Sequence, residues 1–408
     1  MKKLFVFVFV FVFANLSAHD DIEFSLLTCY PGNNVYSLYG HTAIRYQNKT
    51  RSEDLAFNYG VFNFRQKHFV WNFALGKTDY ELGVYKFQDF LREYAQHGRR
   101  VVEQVLNMTN GQKEVLQFLL FENWRPENAT YRYNYFYDNC TTRARNIIFA
   151  AINSDTCQIT FKDSSLEKCS WREALHQYSK KHPWAQLGND LALGQPADKL
   201  MTDEEQQFLP LNMMEYMDRA QIASSPLVLC TNVLVEGNSK ERVAPEKKEF
   251  LLTPLQCAAI FAIICIMIFL VELRRKKTFV WFNILLMLLQ GLAGCVFTIL
   301  MFSHHPAICM NWQILIITPL ALLFIPIIHK VSPFRGRFRG GFSKLWFLYE
   351  VIACAAIFII DATGIQDIPL FTEIIALCLL TRIPTLNADF FAFIFFNKRK
   401  KSLPESVI

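Results

Sequence analysis

The 408-residue chain carries no Cys-x-x-Cys pair and no His-Glu-x-x-His run. Those spacings most often build a zinc site, so no metal centre is expected, and no other cofactor is called for. A basic stripe on a polar background is also missing. Arg274-Arg275-Lys276-Lys277, then Arg335, Arg337, Arg339 and Lys344, then Lys398-Arg399-Lys400-Lys401 all sit beside apolar runs. The net charge of +6 therefore reads as membrane topology, and nucleic acid is set aside as a partner. Charges inside the apolar runs are few: Glu272 at an edge, Glu350, Glu373 and Arg382. That weighs against a transporter, although Glu350 and Glu373 remain candidates for function.

The residues that are present divide the chain into segments. Residues 1–18 read as a secretory signal, with Lys2 and Lys3 before the apolar Leu4–Phe13 and a small-residue cut after Leu16-Ser17-Ala18. An uncleaved anchor is the alternative, and either one exports the polar segment beyond it. No cysteine sits at the cut, so the chain is not expected to be a lipoprotein itself. Residues 19–234 are mixed and polar, 235–250 form a charged linker, and 251–396 are dominated by apolar runs. Spans are expected near 251–271, 279–302, 312–328, 345–360 and 368–396, the last broken near Pro384. Five spans place the basic loops and the 397–408 tail in the cytoplasm, in accord with the positive-inside pattern. A sixth span, made by folding the last run into a hairpin, would put that basic tail on the wrong side.

The exported part centres on YRYNYFYDNCTTRARNII, residues 131–148. Ala144, Ile147, Ile148, Ala151 and Ile152 recur at helical spacing after Cys140. Asp138 or Asn139 can cap that helix, which puts Cys140 and Thr141 in its first turn. The helix dipole there favours a thiolate, and free N–H groups nearby can hold an oxyanion. A thiolate nucleophile needs a base. His41, in YGHTAIRY, opens a predicted strand and is the best candidate. The base in turn needs orienting, for which Asn58 or Tyr59 in FNYG is available, although Asn-Tyr-Gly is also an ordinary strand-end signal. Strands are expected over 23–28, 41–46, 55–64 and 100–106, and helices over 87–96, 111–124 and 171–180, with residues 181–212 as Gly/Pro-punctuated loop that holds a short acidic helix start at Thr202-Asp203-Glu204-Glu205. The aromatic run 131–137 reads either as a half-buried strand or as an apolar substrate wall, with Tyr39, Tyr135 and Tyr137 as candidate contacts. Arg45 and Arg143 are candidates for a phosphate headgroup, and His305 for completing the site from the membrane side.

Of eleven cysteines, Cys29, Cys140, Cys157, Cys169 and Cys230 lie in the exported part. An odd number in an oxidising compartment leaves one thiol unpaired. Cys157 with Cys169 closes a short loop and is the first choice of disulfide. Cys29 with Cys230 is a weaker pairing, and Cys140 is then the odd thiol.

The order His, polar residue, Cys is permuted relative to papain-like enzymes. YSLYGHTAIRY (36–46), FNYGVFNF (57–64), YRYNYFYDNCTTRARNII and GQPADKLMTDEEQQFLP (194–210), succeeded by several spans, resemble the Lnb-type lipoprotein N-acyltransferases of Bacteroidota. The resemblance covers nearly everything after the signal. It implies an α+β, permuted papain-like (NlpC/P60-like) periplasmic domain fused to an α-helical membrane domain in the inner membrane. It further implies acyl transfer from a phospholipid to the N-terminal amine of a diacylglyceryl-cysteine lipoprotein, with Cys140 as nucleophile and His41 as base. Two other readings stay open on the residues alone. One is a cell-wall peptidase or amidase of the NlpC/P60 type; the other is a non-enzymatic membrane sensor or assembly factor in which Cys140 is structural.

Overall fold

Strand β1 (Ile22–Cys29) is apolar on both faces and almost wholly buried. Only a central strand with a layer on each side accommodates that pattern. The other long strands are β2 (His41–Asn48), β3 (Glu53–Val61), β4 (Asp79–Lys86), β5 (Val101–Leu106), the short β6 (Thr130–Arg132) and, last in the domain, Val228–Val235. Between these last two the chain forms a small ribbon of β7 (Ile159–Phe161), β8 (Ala220–Ile222) and β9 (Ser225–Pro226), which makes Val228–Val235 strand β10. The seven-stranded sheet runs β10-β5-β1-β2-β3-β4-β6, and every neighbouring pair is antiparallel. These elements come from a computed structural model that describes residues 20–62, 67–154, 158–161, 167–237, 251–275, 277–328 and 337–386. The expected signal (1–18), most of the 235–250 linker and the expected tail (397–408) lie outside the described residues.

The helices of the sheet domain are α1 (Phe69–Ala74), α2 (Phe87–Gln96), α3 (Asn110–Asn123), α4 (Cys140–Ile152), α5 (Trp171–Ser179), α6 (Pro183–Ala192), α7 (Asp203–Gln206) and α8 (Pro210–Arg219). Helices α3, α4 and α8 cover one face. There Leu116, Leu120, Ala144, Ile148 and Met213 pack on Phe24, Leu26, Ile44 and Phe57. Helix α2 covers the other face through Phe87 and Phe90, against Leu27, Ala43 and Ala56. The expected strands and helices up to residue 180 form within a few positions of where periodicity puts them. In the expected loop 181–212 the short acidic helix start at 202–205 forms as α7, but the rest is not loop: it holds α6 and the start of α8, because Pro183 and Pro210 stand in the first turns of those helices. A missing N–H costs nothing there, so the two prolines start helices instead of breaking them.

The C-terminal region contains α9 (Pro254–Arg275), α10 (Val280–Met301), α11 (Leu320–Ile328), α12 (Arg337–Ala362) and α13 (Leu370–Leu386). Among the described residues three helical stretches are long and apolar enough to cross a membrane: α9, α10 and Leu345–Ala362 of α12. The expected span 312–328 is not one helix. It is a 3-10 turn (Trp312–Leu315) and then the nine-residue α11. Pro319 disfavours helical backbone at Thr318, which separates the two. Helix α13 runs through Pro384 to Leu386, so the expected break does not occur before that point, and 387–396 lie outside the described residues. Two of the charges in these helices form a buried pair. Arg382 meets Glu272 and also donates to Asn283 Oδ1 at 3.0 Å. Buried ions persist in apolar surroundings when paired in this way.

The two regions are joined by polar contacts. Gln313 donates to the Asp190 carbonyl at 2.8 Å, and Asn311 to Leu191 O at 2.8 Å. The Gly194 N–H reaches Ala307 O at 2.8 Å, and the His304 N–H reaches Leu75 O at 3.0 Å. Arg172, 1% exposed, braces the receiving loop through Asp190, Asp198 and the Leu193 carbonyl. Gly194 makes the approach possible, since a Cβ there would lie 2.1 Å from Cys309 O. Gly194→Ala is therefore expected to part the two regions locally. Hydrogen–deuterium exchange checks this: the Gln195 and His304 amides should exchange faster in the variant, and unchanged exchange would refute the constraint.

Candidate functional site

The site begins with the start of α4. Asn139 is its cap, and Asn139 Oδ1 accepts from the N–H groups of Thr141 (2.8 Å) and Thr142 (2.9 Å). The Asn139 N–H donates to Thr142 Oγ1 at 2.8 Å, which completes a capping box. Its side-chain amide donates to the carbonyls of Tyr135 (2.9 Å) and Phe208 (3.0 Å). Asp138 does not cap. It holds Arg143 through two hydrogen bonds of 2.6 and 2.8 Å. The Arg143 guanidinium in turn lies 3.6 Å from the centre of the Tyr131 ring. Thr141 spends its N–H on the cap, and its hydroxyl lies 3.0 Å from that of Thr42 on β2. Thr141 is thus a positioning contact and offers no free amide. The N–H of Cys140 itself has no acceptor among the described residues.

That geometry faces Cys140 toward the first residue of β2. His41 Nε2 bonds Asn58 Oδ1 on the neighbouring β3, and the ring stands close enough to Cys140 for each to shift the other's ionisation. With Nε2 engaged by Asn58, Nδ1 is the nitrogen left for the thiol. Burial pushes the Cys140 thiol up. The charge and hydrogen bond of His41, the Thr42 N–H and the Thr141 hydroxyl outweigh burial and bring it down to about 7. For His41, burial favours the neutral ring. The negative charge of Cys140 and the bonds to Cys140 and Asn58 win, and its pKa is raised. A thiolate–imidazolium pair held by a third polar residue can perform nucleophilic and general acid–base chemistry.

Three neighbours complete the setting. Gly60 has φ +89°, and a Cβ there would stand 3.5 Å from Cys140 Cβ, 3.9 Å from the Tyr131 hydroxyl and 4.0 Å from His41 Cε1. These groups surround one small space that only glycine leaves open. The buried Tyr131 hydroxyl has no hydrogen-bond partner among the described residues. Burial, and then the charge of Cys140, raise its pKa, so it keeps its proton. Thr42 is the third neighbour. Sequence reasoning singled out neither Gly60 nor Thr42. The positive φ that Gly60 needs shows in the sequence only as a glycine next to FNY.

Other expected site residues lie elsewhere. Tyr59 points into the core and its hydroxyl accepts from Asn123 at 3.2 Å, because neighbours on a strand face opposite ways. Arg45 is held by Asp54 (2.7 Å) and Glu103 (2.8 Å) over the Phe87 ring, on the α2 face of the sheet. Tyr39 and Tyr135 pack edge to face in a second core beneath α5, with Asn189 bonding the Tyr39 hydroxyl. Tyr137 lies half exposed against Trp171. His305 contacts Phe73 of α1. The Cys29–Cys230 pairing fails. Strand β5 lies between β1 and β10, and two strand spacings of about 4.8 Å exceed disulfide reach. Cys169 is a free thiol, and its expected partner Cys157 lies outside the described residues. Among the described residues no cluster of His, Cys, Asp and Glu is arranged to hold a metal.

The pairing has two measurable outcomes. Alkylation of Cys140, read on its own peptide by mass spectrometry, should accelerate as pH rises through about 7. In His41→Ala the same rise should move to higher pH, because burial then acts without its main opponent. An unchanged midpoint would refute the pair. Gly60→Ala should slow that alkylation at every pH, through backbone strain and a methyl group placed in the shared space; a wild-type rate would show that the space is not needed.

Residues 13–175 match the family model described as the Lnb N-terminal periplasmic domain. Residues 245–388 match the one described as the Lnb transmembrane domain. No curated protein and no solved structure matches the chain. The two matches fall in the family's own order, one on the sheet domain with His41, Asn58 and Cys140 and one on the apolar helices. The chain therefore belongs to the Lnb family, as a membrane protein with a periplasmic and a transmembrane domain.

Proposed function

We propose that this chain is a lipoprotein N-acyltransferase of the bacterial inner membrane, with a permuted papain-like (NlpC/P60-like) catalytic domain and five membrane segments. The observation that carries the reading is the Cys140–His41–Asn58 arrangement at a capped helix start, on a domain bonded directly to apolar helices. A nucleophile held beside a membrane suits substrates that are themselves lipid-anchored. Cys140 thiolate attacks an ester carbonyl of a phospholipid. The oxyanion that forms is met by the Cys140 N–H and the Tyr131 hydroxyl. His41 gives its proton to the departing alcohol as the C–O bond breaks, and a lysophospholipid leaves. The acyl group now rests on Cys140 as a thioester. The α-amine of a diacylglyceryl-cysteine lipoprotein attacks this carbonyl while His41 takes a proton from the nitrogen. Collapse breaks the C–S bond, forms the amide and returns the thiolate. Asn58 acts through His41 by fixing the ring.

Purified full-length protein incubated with phospholipid vesicles should gain one acyl mass on the Cys140 peptide and release lysophospholipid. Cys140→Ala should do neither, with transfer reduced by at least about 10³-fold. Equal lipid loads on the two proteins would overturn the thioester route. Release of muropeptides from cell wall without lysophospholipid would replace this reading with a peptidase.

A further inference from the structure

Helix α1 lies in the connection that carries the chain away from the site and back. Gly60, beside Cys140, and Phe69, the first residue of α1, are nine positions apart, and β4 begins again at Asp79. The far end of this excursion is tied to the transmembrane domain. Leu75 O accepts from the His304 N–H at 3.0 Å. Phe73 O lies 3.2 Å from His305 Nε2, and the two rings meet at 6.1 Å. Gly76 permits this approach, since a Cβ there would stand 3.1–3.2 Å from His304 and His305 atoms. His304 comes three positions after Met301, the last residue of α10, and α10 is one of the helices long enough to cross a membrane. Helix α1 is therefore pinned at the level where α10 ends.

At that level α1 presents Trp71, 52% exposed, and Phe73, 44% exposed. Exposed lysines flank them at Lys67 and Lys77. Large aromatics with basic neighbours are the side chains that settle at the boundary between acyl chains and headgroups. The contacts to the His304 loop run through the C-terminal end of α1, and Trp71 and Phe73 still keep about half of their surface open to the surroundings. We propose that α1 is an interfacial anchor: Trp71 and Phe73 bind the phospholipid surface, with Lys67 and Lys77 at the phosphate level, so that the Gly60–Cys140 space opens next to the bilayer. The proposal concerns lipid contact and does not depend on the acyl-transfer chemistry.

The test uses full-length protein in phospholipid nanodiscs on a Cys140→Ala background, where no acyl transfer through Cys140 can add lipid. Trp71 is replaced by photoreactive benzoylphenylalanine. Phe118, 63% exposed on α3, carries the same replacement as a control, since α3 packs on α4 and β1. After illumination, phospholipid adducts at position 71 should exceed those at position 118 several-fold. Adduct levels equal to the control, or cross-links from position 71 to a second protein chain in place of lipid, would overturn the proposal. A companion measurement guards against a misfolded label. Trp71→Ser/Phe73→Ser protein should keep the wild-type pH profile of Cys140 alkylation yet lose trypsin protection of Lys67 and Lys77 by vesicles. Retained protection would also overturn it.

Discussion

The carboxamide of Asn139 is the contact on which the site depends. It is buried, and a buried amide is costly unless every polar group finds a partner. Here its oxygen serves two helix amides, its nitrogen serves two carbonyls, and its main-chain N–H serves Thr142. The two carbonyls belong to segments far apart in sequence, Tyr135 before the helix and Phe208 after α7. One side chain therefore starts α4, closes the turn that precedes it and ties down the chain leading into α8. Cys140 inherits its position from that arrangement. With the Thr141 and Thr142 amides consumed by the cap, the Cys140 N–H is the first-turn donor left for chemistry.

The electrostatics of the pair are a balance of opposing effects on both members. Burial by itself would leave a neutral thiol and a neutral imidazole. Each partner offsets the penalty of the other, and Thr42 and Thr141 add donors that favour sulfur in its charged form. The contrast with Cys29 is instructive. It sits opposite His41 in the β1–β2 ladder and is fully buried. With a tyrosine hydroxyl as its nearest help, its thiol is pushed up to about 12. Two cysteines close in space thus have thiols shifted in opposite directions, and partners rather than burial decide which way.

Cap, helix and pairing order were legible in the sequence because each is a local signal. A DNC triplet before an apolar period says where α4 starts, and a histidine opening an alternating run marks the side chain that the fold brings to Cys140. Asn58 and Tyr59 could not be separated that way. Which of two strand neighbours faces the site depends on register, and the β3–β4 pairing shifts between Asn58 and Val61. Arg45 misled for a related reason. Its charge reads as a solvent or phosphate contact, while Asp54 and Glu103, the latter 58 positions away, make it a structural ion pair. The prolines of 183 and 210 were ambiguous by nature, since loop punctuation and a helix first turn use the same residue. The 312–328 segment had enough apolar residues for a span, and its interruption comes from Gln313, drawn to Asp190 O and Thr372 Oγ1, together with Pro319.

The junction between the domains settles how Cys140 is carried. A flexible tether would let the sheet domain wander, but the contacts here are side-chain amides placed against buried carbonyls. Gln313, Asn311 and Gln366 all converge on residues 190–193. Each such bond contributes about 1 kcal/mol when made, and opening the junction would leave several of these groups in a site too tight to be rehydrated one at a time. Arg172 raises that cost further, because moving the loop would strip a fully buried guanidinium of Asp190 and Asp198. The junction therefore behaves as part of the fold rather than as a hinge. The attachment of the sheet domain to the apolar helices is then made by the same loop that takes the carbonyl-directed amides.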